Sequence, residues 1–482
     1  MSPRMKFSIM MFLEFFIWGA WLPLAFPFLL SLGFGYWEIS FFMNAFAIAS
    51  ITGLFFSNQF ADRNFAAEKF LAFSHLIGGV AILGIGFVRD YWPSLGLQGV
   101  PLFWPFFILM LIHSLFYVPT ISITNSIAFT NLKDAQRDFG LVRLWGTIGW
   151  IAASVPFVFI LVDWAKIPSM GEIGVVSWIG EALKGENAKQ GQAFQDGVAM
   201  TFVAAGIASL LLAGFSLALP HTPPKPAVSG ESKFAWLESM KLLSHPFMLV
   251  LFLATFIDAT VHMGYFMLTG DFLIKKVGIP PQWVMPVMSI GQVAEIGTMA
   301  ILGFVLKRFG WRTTMIVGIL GHTARFGVFA FFPEQGATAF DQALPILVNV
   351  LHGICYAFFF ATVYIFVDEF FPKDARASAQ GLFNFLIIGI GPLVGGFLWP
   401  YLQGVLTEGG QVDYRTLFLI PSGTALAAAV LLLLFFHPPV SGKAWQPPEE
   451  TEDDDGPIAG AIPQSATGVT ASEPGRIRRT EG

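Results

Sequence analysis

The stretch Arg143-Leu144-Trp145-Gly146-Thr147-Ile148-Gly149-Trp150 opens an apolar segment that runs to about Val162. A bilayer-spanning helix needs ~20 such residues, so the segment is read as a transmembrane helix. An arginine near its start is costly unless it faces protein or a water-filled cavity. Thr147 follows Arg143 by four residues and Trp150 follows Thr147 by three, so all three share one helix face. That face offers a cation, a hydroxyl and an indole, while Gly146 and Gly149 let a neighbouring helix approach. Two readings stand side by side. In one, the guanidinium donates a fork of hydrogen bonds to a ligand and the ring stacks on it. In the other, an interfacial arginine snorkels to phosphates beside a small-residue packing face.

Composition extends the membrane reading to the whole chain. Of 482 residues, 55% are hydrophobic and only 12% charged, and mean hydropathy is +0.66. The 53 Phe and 14 Trp exceed what a soluble core needs. These values describe a polytopic helical membrane protein. The net charge of -5 carries little, because much of the acid lies in the C-terminal tail. The single cysteine, Cys355, excludes an intramolecular disulfide and a multi-cysteine metal site. Residues 1–30 superficially resemble a signal peptide. Their apolar run is too long, contains Glu14 and lacks a small-residue cleavage site, so they are expected to be a retained first span.

Apolar segments recur at 8–31, 38–58, 67–88, 102–129, 141–162 and 197–219, then at 247–272, 283–306, 313–333, 343–371, 377–400 and 415–437. The expectation is an all-α membrane protein of twelve transmembrane helices. Residues 1–219 form a six-helix half, 220–246 a cytoplasmic linker, 247–437 a second half and 438–482 a disordered cytoplasmic tail. Within the linker, 234–243 could form an amphipathic helix lying on the membrane. With both termini and the linker inside, fourteen lysines and arginines fall in short cytoplasmic segments. Seven fall outside: Arg89, Lys166, Lys184, Lys189, Lys275, Lys276 and Arg415. The long outer loop 163–196 is polar enough for a small cap. Asp62-Arg63 and the basic run Lys307 to Arg312 sit at equivalent places 245 residues apart, which points to a repeat. The acidic run 449–455 in the tail cannot bury a core. In a transporter built from two such repeats, the substrate site lies between them near the midplane.

Ionisable side chains inside spans are functional candidates, because each costs ~2.5–3.5 kcal/mol or more at the bilayer centre. The first half carries Glu14, His75, His113 and Arg143; the second carries Asp258, His262, Glu295, Arg325 and His352. Asp258, His262 and Tyr265 share a helix face, as do Gln292 with Glu295 and His352 with Tyr356. Glu14 and His75 are read as reaching water near the ends of their spans. Arg325 is read as pairing with a carboxylate or carbonyl groups, and His113 and His322 as packing histidines. Asp258 is either a functional acid or the structural partner of His262. Gln292 with Glu295 carries the strongest functional reading, since a packing helix gains nothing from burying both. The glycines from 389 to 396 sit inside an apolar span and are read as a packing face or hinge rather than a nucleotide loop.

Four stretches resemble the nucleoside:proton symporter family of the major facilitator superfamily. They are Phe16 to Leu22, Arg143 to Trp150, Ser289 to Glu295 and Arg376 to Gly381, supported by Tyr117 to Thr120 with Asn125 and Ser126. The likeness runs from about residue 7 to 437 and implies the major facilitator fold. It implies a nucleoside site at Arg143, Thr147, Trp150, Gln292 and Glu295. The corresponding polar positions on the later helices are His262, Tyr265, His352 and Tyr356. Where the family has a phenylalanine-aspartate pair, this chain has Ala357 after Tyr356. Proton coupling is therefore expected to rest on Glu295, with Asp258 and then His352 as helpers.

The sequence thus points to a bacterial inner-membrane importer of nucleosides, driven by protons and working by alternating access. Its partners are nucleoside, protons and the lipid bilayer, with no nucleic acid; it is expected to be a monomer without cofactor or metal. Alternatives are a transporter of another polyhydroxylated solute, such as a sugar or glycoside, and a non-transporting sensor on the same scaffold. No zinc-protease motif, nucleophile elbow or phosphate loop supports an enzyme.

Overall fold

A computed structural model describes residues 1–92, 94, 96, 100–224, 243–371 and 373–438, and only the backbone for 54–63, 135–137 and 373–378. The chain is an all-α, multi-span bundle. Among the described residues, ten helices are long and apolar enough to cross a membrane. The long helices are α1 (Pro3–Ser31), α2 (Tyr36–Asn64), α3 (Ala67–Tyr91), α4 (Phe103–Asn131) and α5 (Ala135–Ile160). A short helix α6 (Val175–Leu183) precedes α7 (Gly191–Ser216), and then come α8 (Pro246–Phe272), α9 (Pro281–Ala330), α10 (Ala339–Phe370), α11 (Ala379–Val405) and α12 (Tyr414–Phe435).

The element α9 covers two segments that the sequence separates, and it is not one straight rod. At 1.5 Å per residue, 50 helical residues would span ~75 Å, more than twice a bilayer core. Gly310 breaks it with φ 75 and ψ 173, a conformation that side chains with a Cβ rarely adopt. The limb 281–309 and the limb 311–330 then lie side by side, since Gln292 of one and Arg325 of the other both reach His352 on α10.

Glycine sets the closest helix crossings. A Cβ on Gly149 of α5 would run into the backbone oxygen of Phe12 on α1. A Cβ on Gly353 of α10 would meet the backbone of Glu295 on α9. These contacts fix α5 and α9, the two helices that carry most of the expected site, against their neighbours. The helical ladder loosens to π turns at Tyr356–Ala361 in α10 and Phe385–Ile390 in α11. Such turns release backbone groups and re-aim side chains.

The long loop 163–196 forms a folded cap. Val162 pairs with Ala188, Trp164 stacks on Trp178 with centroids 4.5 Å apart, and Ile167 and Ala182 fill the small core beneath. The cap ties to α9 through Gln282 Nε2, which donates to the carbonyl of Ala182 at 3.2 Å, and Trp283 Nε1, which donates to that of Leu183 at 3.2 Å. The amphipathic helix expected at 234–243 and the tail beyond Pro438 lie outside the described residues.

Candidate functional site

The helices enclose a central cavity of about 250 Å³. Ligand pockets commonly run ~300–1,000 Å³, so this one is sized for a single small solute. Its wall collects Arg143, Thr147 and Trp150 from α5, His262 from α8, Gln292 and Glu295 from α9, and His352 and Tyr356 from α10. Arg143 to Trp150 thus turns its polar face inward and does not snorkel. The Arg143 guanidinium lies over the Phe15 ring at 4.0 Å, close enough for a cation–π contact.

Aromatic rings make the rest of the wall. Trp18 stacks on Phe46 at 4.6 Å with a 13° tilt, and Trp150 meets Trp18 edge-on at 5.3 Å. Phe266 closes the side next to Trp150, with centroids 6.3 Å apart. Planar faces beside polar edges suit a ligand with an aromatic ring and hydrogen-bonding rim. Four buried polar atoms of the lining residues have no hydrogen-bond partner among the described residues: Trp21 Nε1, Asn125 Oδ1, Arg143 Nη1 and His262 Nδ1. Leaving a buried donor or acceptor unmatched costs ~1–3 kcal/mol, and a polar solute can recover it.

Two of the sequence candidates stand elsewhere. Tyr265 is fully buried behind the wall, where its hydroxyl donates to Asn349 Oδ1 at 2.9 Å. Its ring stacks on His352 at 4.4 Å and so supports a lining residue from the rear. The reason is helical phase: Tyr265 is three residues from His262, and the bundle turns the two toward different neighbours. Asp258 is also fully buried and does not line the cavity; His322 Nε2 lies 3.7 Å from its Oδ1. Glu14 and His75, read as reaching water, instead pair in the core at 2.9 Å. Among the described residues, Arg325 hydrogen-bonds neither a carboxylate nor a carbonyl but donates to two histidines. Ser50, Ser122, Phe46 and Phe266 line the cavity without having been singled out. Phe46 and Phe266 carry no chemistry that would flag them among 53 phenylalanines.

A family model described as "Nucleoside H+ symporter" matches residues 1–173 and 163–441. The chain is 33% identical over 411 residues to "Putative nucleoside transporter YegT" of Escherichia coli, covering 85% of each chain. It is 28% identical to the xanthosine permease of the same organism, over 88% of this chain and 94% of that one. The crystal structure of a point mutant of the nucleoside transporter NupG superposes with a TM-score of 0.73 at 25% identity, covering 90% of this chain and all of that one.

Proposed function

The chain belongs to the nucleoside H+ symporter family, and from that premise we propose that its cavity binds a nucleoside and that Arg143, Thr147, Trp150, His262, Gln292, Glu295, His352 and Tyr356 are the binding set. It is a secondary active nucleoside/proton symporter of the major facilitator type, multi-pass in the bacterial inner membrane, working by alternating access. One observation carries the substrate reading: stacked indole and phenyl faces stand beside unmatched polar atoms of Arg143, Asn125 and His262. A flat base fits the first and a base edge or ribose hydroxyl the second. Glu295 shares the cavity with Arg143, within reach of its charge, and can accept from ribose hydroxyls. A sugar offers the hydroxyls but no planar ring for the aromatic walls. The test is counterflow of labelled nucleoside in proteoliposomes with unlabelled competitors. Purine or pyrimidine nucleosides are expected to compete, and hexoses and pentoses are not. Competition by free sugars alone would replace the nucleoside reading.

The architecture that serves this is twelve spans in two six-helix halves, 1–219 and 247–437, joined by 220–246, with both termini cytoplasmic. The break at Gly310, which divides α9 into two limbs, and the helix α2 beside the ten apolar spans support that count. Single cysteines replacing Lys184 in the cap and Lys307 near the α9 break are expected to react from opposite sides of the membrane. Reaction of both with an impermeant reagent from outside would break this topology.

A further inference from the structure

Five buried groups on three helices form a chain that begins at the cavity wall and ends outside it. Gln292 Nε2 lies 3.5 Å from His352 Nε2, and both residues line the cavity. On the other side of that ring, Arg325 Nη1 donates to His352 Nδ1 at 3.2 Å. Arg325 Nη2 donates to His322 Nδ1 at 2.8 Å. His322 Nε2 then faces Asp258 Oδ1 at 3.7 Å, beyond hydrogen-bond length. Asp258, His322 and Arg325 are all fully buried, and neither carboxylate oxygen accepts a hydrogen bond among the described residues.

Arginine has only donors, so each histidine must accept at Nδ1 and carry its hydrogen on Nε2. Arg325 therefore fixes two tautomers at once. It turns one N–H toward Asp258 and the other toward Gln292, whose amide can present its oxygen there.

The N-terminal part of the chain carries the counterpart, which is closed. Glu14, His75, His113 and Tyr117 precede Asp258, His322, His352 and Tyr356 by 244, 247, 239 and 239 residues. There, Glu14 Oε2 meets His75 Nε2 at 2.9 Å, and Thr120 donates to Glu14 Oε1 at 2.8 Å. Ser209 holds His75 Nδ1 at 2.9 Å. That acid–histidine pair is fully tied by neighbours. The later copy has an open pair and a cation inserted between its two histidines.

We propose that Asp258, with His322 and Arg325, is a proton-binding relay that sets the geometry of the nucleoside site through His352 and Gln292. This rests on the symport reading above and deepens it. With a proton on Asp258, Arg325 donates to both histidines, as in this structure, and holds His352 and Gln292 in the wall. When the halves rock and admit water, Asp258 gives up that proton to it and becomes a carboxylate, and Arg325, the cation next to it, is drawn toward it. His352 then loses its donor, and Gln292 loses its fixed neighbour. Only an O–H bond forms or breaks. Because linkage is reciprocal, nucleoside bound at Gln292 favours the protonated form of Asp258. The other titratable groups around Asp258 are His262 and Tyr265 on α8, His322 and Arg325 on α9, and His352 and Cys355 on α10. Among the other elements packed on α8, α1 carries Glu14 in its span, tied to His75 and Thr120, and the packed lengths 385–405 of α11 and 416–435 of α12 add no Asp, Glu, His, Lys or Arg. Asp258, His322 and Arg325 are positioning residues, since none lines the cavity.

The test compares wild type, Asp258→Asn, His322→Gln and Glu14→Gln in proteoliposomes with labelled nucleoside. Each is read twice, by counterflow without a gradient and by uptake under an inward proton gradient. Asp258→Asn and His322→Gln are expected to keep counterflow and to lose the gradient stimulation. They should also lose the pH dependence of nucleoside affinity. Glu14→Gln, in the closed copy, is expected to retain both. A wild-type gradient response in either relay variant that inserts overturns the relay. If both relay variants fail to insert, Asp258→Glu takes their place: a displaced carboxylate is expected to move the pH midpoint of nucleoside affinity, and a wild-type midpoint overturns the relay. Wild type that exchanges no nucleoside, or exchanges it but ignores the gradient, instead defeats the nucleoside or symport reading.

Discussion

Replacing Arg143 with alanine is expected to weaken nucleoside binding by about 10- to 150-fold while leaving membrane insertion intact. The range follows from ~1.5–3 kcal/mol for a hydrogen bond made by a charged group. Arg143 has an unmatched Nη1 at the cavity, and its guanidinium rests over the Phe15 ring at 4.0 Å. Alanine removes the donors and opens space, and Glu295, left without its cation, can take up a proton rather than stay as a buried unpaired charge, so the fold survives. Arg143→Lys keeps the charge but not the fork and is expected to recover only part of the affinity. Binding titration of detergent-solubilised protein, with monodispersity as the folding check, reads both outcomes. An unchanged dissociation constant for Arg143→Ala would return that arginine to a packing or interfacial role.

The second large effect concerns Glu295. Glu295→Gln is expected to abolish accumulation driven by a pH gradient while downhill exchange persists, because an amide still accepts a hydrogen bond from ribose. A symporter needs a group whose protonation differs between the two orientations. Burial favours the neutral acid and a nearby arginine favours the anion, so a carboxylate facing Arg143 is sensitive to any change in that cavity. Glu295 sits where α9 crosses α10 at Gly353, a contact that helix movement would alter. Alternating access between the halves would then change the distance between Arg143 on α5 and Glu295 on α9. Glu295 in the cavity and the Asp258 relay behind it are both required for coupling, at different points along one path. If Glu295→Gln still concentrates nucleoside in response to the gradient, Glu295 is a binding residue only.

Much of this was legible before any coordinates. The spans are long apolar runs, and a bilayer leaves a chain little choice about those. The inward face of α5 follows from the three-and-four spacing of Arg143, Thr147 and Trp150, and the same spacing brings Gln292 and Glu295 together. The break in α9 was visible as the polar run between two segments, with Gly310 inside it. Other features depend on rotation, and sequence spacing alone does not give that. Tyr265 shares a helix face with His262 by spacing, but packing directs it to Asn349. The π turn at Tyr356–Ala361 shifts helical phase beside the cavity and has no composition signal. Glu14 and His75 lie in different spans, so neither one announces its partner. The aromatic walls were hidden by abundance: Phe46 and Phe266 look like any other phenylalanine until the helices assemble.

The measurement that bears most directly on this account is uptake of labelled nucleoside by wild-type protein in sealed proteoliposomes with an inward proton gradient. The account predicts accumulation above the outside concentration, dependent on the gradient, collapsed by a protonophore and blocked by excess unlabelled nucleoside but not by free sugar. Uptake that only equilibrates and is indifferent to the gradient, or nucleoside that binds but never crosses, would contradict it.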